Sequence, residues 1–325
     1  INQPQRAPMS FENNLVDHPL NKRNFEDLRN SFDRNSFVPF VGAGPSTPMG
    51  EPDWEDLFKK LKIHFGVRIN KVSRDNGSLD YPKMFSKLFK KIPDKSQFYK
   101  ILFQKLEPTK TRATNLHYSL VELFDTYLTT NYDSPIEVAF HKLRKNTPLT
   151  KHYFACYDLN DLNKSVIYLH GHKDINFGII KLEDYEYFYP TVSKKYGIPI
   201  LEDFLSQIFF AKTLVFVGFS FVDYFFCEYL IYLDQTTSLN NRHFIIFGDS
   251  SEVYRECRSK EDEYNIVGDK KNAEKIVSEF FDGLYGIRPI VYKESHVFIE
   301  DLFDELNKTI PPPVTSEKLG SIPVR

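Results

Sequence analysis

Phe37-Val38-Pro39-Phe40-Val41-Gly42-Ala43-Gly44-Pro45-Ser46 decides the fold. Five strand-forming residues run straight into a turn with two glycines. That is the order in which a buried parallel strand delivers its carboxyl end to a ligand site. Pro39 removes one ladder donor, which is awkward in a central strand and tolerable near its start. The same order recurs three times downstream. Thr126 to Thr130 leads into Thr130-Asn131-Tyr132-Asp133, Val166 to Leu169 into His170-Gly171, and Thr213 to Val217 into Gly218-Phe219-Ser220. His243 to Phe247 and Arg288 to Tyr292 read as further strands. Helical spacing fills the intervals: 22–34, Ser134 to Leu143, Leu182 to Tyr189, Pro199 to Phe210, a segment opening near Asp223, and His296 to Leu306. Strands alternating with helices predict an α/β fold, a Rossmann-like parallel sheet with helices on both faces.

Between the first and second strands, about 53–124, the pattern is helical throughout, with Trp54, Leu57, Phe58 and Leu61, then Met84, Phe85, Leu88 and Phe89. This stretch is predicted to be a helical insertion. Trp54, the one tryptophan, is either a pocket wall or, more simply, a core anchor on an amphipathic helix. Residues 1–21 read as a polar arm, 22–308 as the folded domain, and 309–325, opened by Pro311-Pro312-Pro313, as a tail. The chain begins at Ile1 rather than Met, which reads as a piece of something longer.

The 325 residues are 41% hydrophobic and 26% charged, as expected of a globular chain, and the aromatics reach 15%, which argues for a bulky core and against disorder. A net charge of -2 offers no general pull on nucleic acid, so direct nucleic-acid binding is not expected. No apolar run approaches the ~20 residues of a membrane span, and a cytoplasmic location is expected. Cys156, Cys227 and Cys257 stand far apart with no Cys-x-x-Cys pair, so neither a zinc module nor a disulfide framework is expected, and no metal.

Each strand end has a chemical and a plain reading. The Gly42–Gly44 turn lets backbone N–H groups approach a pyrophosphate, but it lacks the third glycine of a dinucleotide fingerprint, and a structural turn explains it as well. Asn131 carries an amide that donates and accepts at once, suited to a ribose hydroxyl or a water, while Asp133 or Ser134 would cap the next helix. His170, beside a glycine, titrates near neutrality as a general base must; His172 is its rival unless Gly171 turns the chain. Ser220 and Asp223 would bind phosphate or ribose, or simply cap a helix.

Taken in order, Gly-Ala-Gly-x-Ser, Asn-x-Asp, His-Gly and Gly-x-Ser resemble the sirtuin superfamily. The chain is most similar to its sirtuin-like NAD⁺-hydrolase branch, found in bacterial anti-phage defence systems. The resemblance runs from about Asn24 to Leu306. It implies that Asn131 and His170 are catalytic and that Gly42, Ala43, Gly44, Ser46, Thr130, Asp133, Gly218, Ser220 and Asp223 contact NAD⁺, which is consumed as substrate. The zinc module of the family's deacetylases cannot be built here, and Pro48-Met49-Gly50-Glu51-Pro52 replaces their Pro-x-Phe-Arg segment. The implied activity is NAD⁺ hydrolysis to nicotinamide and ADP-ribose, depleting NAD⁺ in abortive infection. The alternatives are a non-catalytic NAD or ADP-ribose sensor module and a zinc-free deacylase or ADP-ribosyltransferase. A homo-oligomer is implied, with a separate sensor or ATPase as a possible partner.

Overall fold

A computed structural model describes residues 15–17, 19–74, 79–106, 112–221, 223–237, 243–249, 286–293 and 297–309. The main sheet has seven strands: β1 (Phe37–Val41), β2 (Thr126–Thr129), β3 (Thr150–Tyr153), β4 (Ser165–Tyr168), β7 (Thr213–Val217), β8 (His243–Gly248) and β9 (Ile287–Tyr292). Their order across it is β3-β4-β2-β1-β7-β8-β9, every pairing parallel. A two-stranded antiparallel hairpin, β5 (Gly171–His172) and β6 (Phe177–Gly178), follows β4. The predicted α/β, Rossmann-like class is what the structure shows.

Alternating side chains feed two cores. Val38 and Phe40 of β1, with Leu214 and Phe216 of β7, bury against α7 (Leu182–Phe188), the single turn α8 (Pro190–Ser193), α9 (Ile200–Ala211) and α10 (Tyr224–Thr237). Phe37 and Val41, with Val215 and Val217, face α1 (Pro19–Ser31), α5 (Asn115–Leu123), α6 (Pro135–Leu143) and the closing helix α11 (Val297–Thr309). Pro39 is tolerated for a local reason. Gly42 donates to the Val217 carbonyl at 2.9 Å, so strand alternation turns Pro39 toward β2, and that ladder begins only at Phe40.

Several sequence expectations need adjustment. The insertion with its own core comprises α2 (Trp54–Phe65), α3 (Tyr81–Lys91) and α4 (Gln97–Leu106), in which Trp54 stacks on Tyr81 and meets Phe85 edge-on, the core-anchor reading. α5, predicted within the insertion, instead packs Leu116, Leu120 and Val121 on the sheet. β3 was not predicted: Thr-Lys-His-Tyr is a polar edge strand with no apolar run to betray it. The described end of the arm is engaged too, since Leu15 bridges Tyr292 and Val16 donates to the Val291 carbonyl at 3.0 Å. Residues 1–14, His296, Cys257 and the tail from 310 onward lie outside the described residues.

Candidate active site at the carboxyl edge of the sheet

The connection from β1 runs to β2 on one side, and the chain later returns to place β7 on the other side of β1. Ligands gather at the carboxyl ends of strands at such a switch point. Here the two glycine turns meet backbone to backbone. Gly44 N–H donates to the Gly218 carbonyl at 2.9 Å, and a Cβ on Gly42 would stand 2.3 Å from that carbonyl oxygen. Gly218 adopts φ +62°, and a Cβ there would meet Pro45 Cδ at 2.3 Å. The glycines are therefore required by strand-tip packing. The N–H groups of Gly42, Gly44, Ser46 and Thr47 are all donated within the molecule, and Gly44–Met49 forms a 3-10 turn rather than opening an α-helix.

The tip of β2 clasps that turn. Thr129 Oγ1 donates to the Val41 carbonyl at 2.8 Å and accepts from Asn131 N–H at 3.0 Å. Asn131 Nδ2 donates to the Gly42 carbonyl at 2.8 Å; its Oδ1 accepts no hydrogen bond from any described residue. Thr130 is half-buried beside it. Ser46 Oγ donates to Asp133 at 2.5 Å, so Asp133 joins the two tips rather than capping α6. Sequence reading passed over Glu51, whose carboxyl group shares a hydrogen bond with Asp133. Burial first, and then the Asp133 charge, raises the Glu51 pKa well above the usual carboxylate range, so Glu51 is the protonated donor. Its Oε1 is buried without a partner among the described residues. His117 lies beneath, fully buried, its pKa pushed down to about 4 by desolvation against the opposing pull of Asp133.

Thr129 pairs with Tyr168, so Asn131 and His170 stand in equivalent register, each two residues beyond the last paired position of neighbouring strands. Gly171 (φ +90°) turns the chain, because a Cβ would meet the Phe177 carbonyl at 2.3 Å. The two histidines consequently part company. His170 is 1% exposed, with Nε2 2.9 Å from the Tyr189 hydroxyl and Nδ1 3.7 Å from Asp223. Burial lowers its pKa and Asp223 partly opposes this. His172 is held elsewhere, with Nε2 3.0 Å from Ser134 Oγ, its ring stacked 4.2 Å from Tyr168, and Glu137 and Asp174 alongside.

Asp223 is committed to His170, to the Tyr185 hydroxyl at 3.0 Å, and to the Phe226 N–H at 3.2 Å as the first turn of α10 begins. Ser220 is half-buried in the β7 turn. The structure thus gathers Gly42, Ala43, Gly44, Ser46, Asn131, Asp133 and Gly218 at one bend. It holds His170 and Asp223 in an aromatic enclosure on the neighbouring strand tips, with no hydrogen bond between Asn131 and His170. Tyr185 and Tyr189 were legible only as an i, i+4 pair on one helix face; nothing in the sequence named their partner.

Among the described residues no group of three or more His, Cys, Asp or Glu could hold a metal ion, and no helix is long and apolar enough to cross a membrane. Comparison with known proteins agrees with the resemblance. A family model described as SIR2-like domain matches residues 125–267. The chain is 27% identical over 224 residues to a protein named NAD(+) hydrolase ThsA from Acinetobacter baumannii (strain 532279), covering 66% of this chain and 43% of that protein. It is 26% identical over 207 residues to NAD(+) hydrolase ThsA from Enterococcus faecium, covering 59% of this chain and 39% of that protein. The chain therefore spans about two-fifths of the length of these curated relatives. Residues 125–267 are thus similar to a SIR2-like domain.

Proposed function

We propose that this chain is the NAD⁺-cleaving domain of an anti-phage defence protein, hydrolysing the nicotinamide–ribose bond to nicotinamide and ADP-ribose. One observation carries the reading: Asn131 and His170 stand in equivalent register on neighbouring strand tips beside a double glycine bend, in a chain whose relatives are named NAD(+) hydrolase.

Cleavage builds positive charge on the ribose. The C–N bond breaks, its electron pair leaves with the nicotinamide ring nitrogen, and a water oxygen bonds to the anomeric carbon. Asn131, anchored through Nδ2 to Gly42, offers Oδ1 to that water or to a ribose hydroxyl. His170 takes the proton the water sheds and later releases it to solvent. Asp133 supplies negative charge at the same bend, and Glu51, neutral, adds none. An unregulated hydrolase of NAD⁺ would drain its own cell. We therefore propose inactive and active assembly states of a homo-oligomer, under a sensor or ATPase partner, which light scattering under activating conditions tests.

The deciding experiment incubates NAD⁺ with the wild type and with His170→Ala and identifies the products. General-base loss should lower turnover about 10²- to 10⁴-fold with the fold retained. Equal nicotinamide release by both proteins would remove His170 from the chemistry. Nucleotide binding without release, in the presence of the activating partner, would favour the sensor reading.

A further inference from the structure

The His170 enclosure fixes more than a position. Tyr189 is wholly buried, and among the described residues its hydroxyl has one hydrogen-bond partner, His170 Nε2. If Nε2 carried the imidazole proton, the Tyr189 O–H would have no acceptor, a loss of about 1–3 kcal/mol for a buried donor. The Nδ1 lone pair would also point at the Asp223 carboxylate. With the proton on Nδ1 both conflicts vanish: Tyr189 donates to Nε2, and Nδ1–H faces Asp223. The 3.7 Å separation is too long for a hydrogen bond and is an electrostatic contact. Catalytic contacts commonly shorten when substrate binds. The carboxylate is itself fixed at both oxygens, Oδ2 accepting from Tyr185 and Oδ1 from the Phe226 N–H.

We propose that Asp223 is the positioning residue of His170 rather than a nucleotide contact. Facing Nδ1–H, it holds the ring and the tautomer that leave Nε2 as proton acceptor; Tyr185 locks the carboxylate, and Tyr189 occupies Nε2 until a water or substrate hydroxyl takes its place. As Nε2 gains that proton the ring becomes an imidazolium, whose charge Asp223 offsets. The catalytic half of this assignment rests on the NAD⁺-cleaving reading; the tautomer half does not.

Asp223→Asn tests it, since the amide fills the same volume and can still accept from Phe226 N–H. Its NH₂ group would donate to Nδ1 and turn the imidazole proton to Nε2; the same substitution in a serine-protease triad costs about 10⁴ in kcat. Here kcat should fall about 10²- to 10⁴-fold with KM near wild type. The ¹⁵N resonances of His170 should move from the Nδ1–H to the Nε2–H pattern. Tyr185→Phe, which only loosens the carboxylate, should lower kcat by about 5-fold. A raised KM with kcat kept would make Asp223 a nucleotide contact and overturn the proposal. So would a wild-type His170 carrying its proton on Nε2, a measurement that needs no variant to fold and no turnover. If His170→Ala left turnover intact, the NAD⁺-cleaving role would fail while the tautomer measurement still decided the pairing.

Discussion

Replacing Gly42 by alanine separates two reasons for a glycine at the bend. Gly42 has an ordinary negative φ, so the substitution adds no backbone strain; it adds a methyl group. That Cβ would lie 2.3 Å from the Gly218 carbonyl oxygen and 2.6 Å from Phe219 Cα, where ordinary contact begins at 3.4 Å. Both neighbours are backbone, so no side chain can swing away, and the β1 and β7 tips must part by about an ångström. Overpacking of this kind costs about 2–3 kcal/mol, or roughly 3–5 °C in Tm for a domain of this size. Gly50→Ala is the control. Its φ is +76° with nothing within 4 Å of the added atom, so it isolates conformational strain, about 1 kcal/mol. Thermal and urea unfolding of the two variants, with NAD⁺ KM measured below the transition, gives the comparison. A Gly42→Ala protein as stable as Gly50→Ala but with a raised KM would show that the glycine serves the ligand, and the packing argument would be wrong.

Other perturbations follow from the same contacts. Glu51 holds its proton more tightly folded than unfolded, so its stabilisation is complete below about pH 4.5 and is lost as pH climbs through the range above. Glu51→Gln, which mimics the protonated acid, should flatten that decline in urea titrations at pH 5 and pH 9; an unchanged slope would contradict a shared proton. Tyr189→Phe frees Nε2 of a hydrogen bond worth about 1 kcal/mol, so KM should fall roughly fivefold with kcat kept. A fall in kcat instead would mean that the hydroxyl passes protons. His172→Ala removes a buried, stacked imidazole and should cost about 2–4 kcal/mol of stability without changing kcat of the folded fraction. Lost turnover at full stability would exchange the roles of the two histidines.

The sheet was legible because parallel strands buried on both faces are written as continuous apolar runs, as in Thr213–Val217 and His243–Gly248. β3 escaped because an edge strand need not be apolar, and α5 because periodicity shows that a helix has a buried face but not what covers it. At the candidate site, the sequence showed which residues end the strands and left their commitments hidden. Asp223 read as a capping or nucleotide residue; that it also faces an imidazole depends on α10 meeting the β4 tip, a contact across some 50 positions that no local pattern encodes. Glu51 carried no motif, and its protonation exists only because the fold sets it beside Asp133 and away from water.

One helix links these features. At its amino end α7 is fastened to the insertion: Leu182 N–H donates to Ser86 Oγ at 2.9 Å, Glu183 pairs with Lys90 at 2.7 Å, and Tyr99 donates to Asp184 at 3.2 Å. From its middle it presents Tyr185 to Asp223 and, just beyond its last turn, Tyr189 to His170. Seven residues of α-helix span about 10 Å and do not bend cheaply. A shift of the insertion relative to the sheet therefore cannot leave the His170 enclosure unchanged, because its two tyrosines ride on the same rod. Movement of the insertion would thus reach the one imidazole nitrogen that the proposed chemistry needs and that Tyr189 covers.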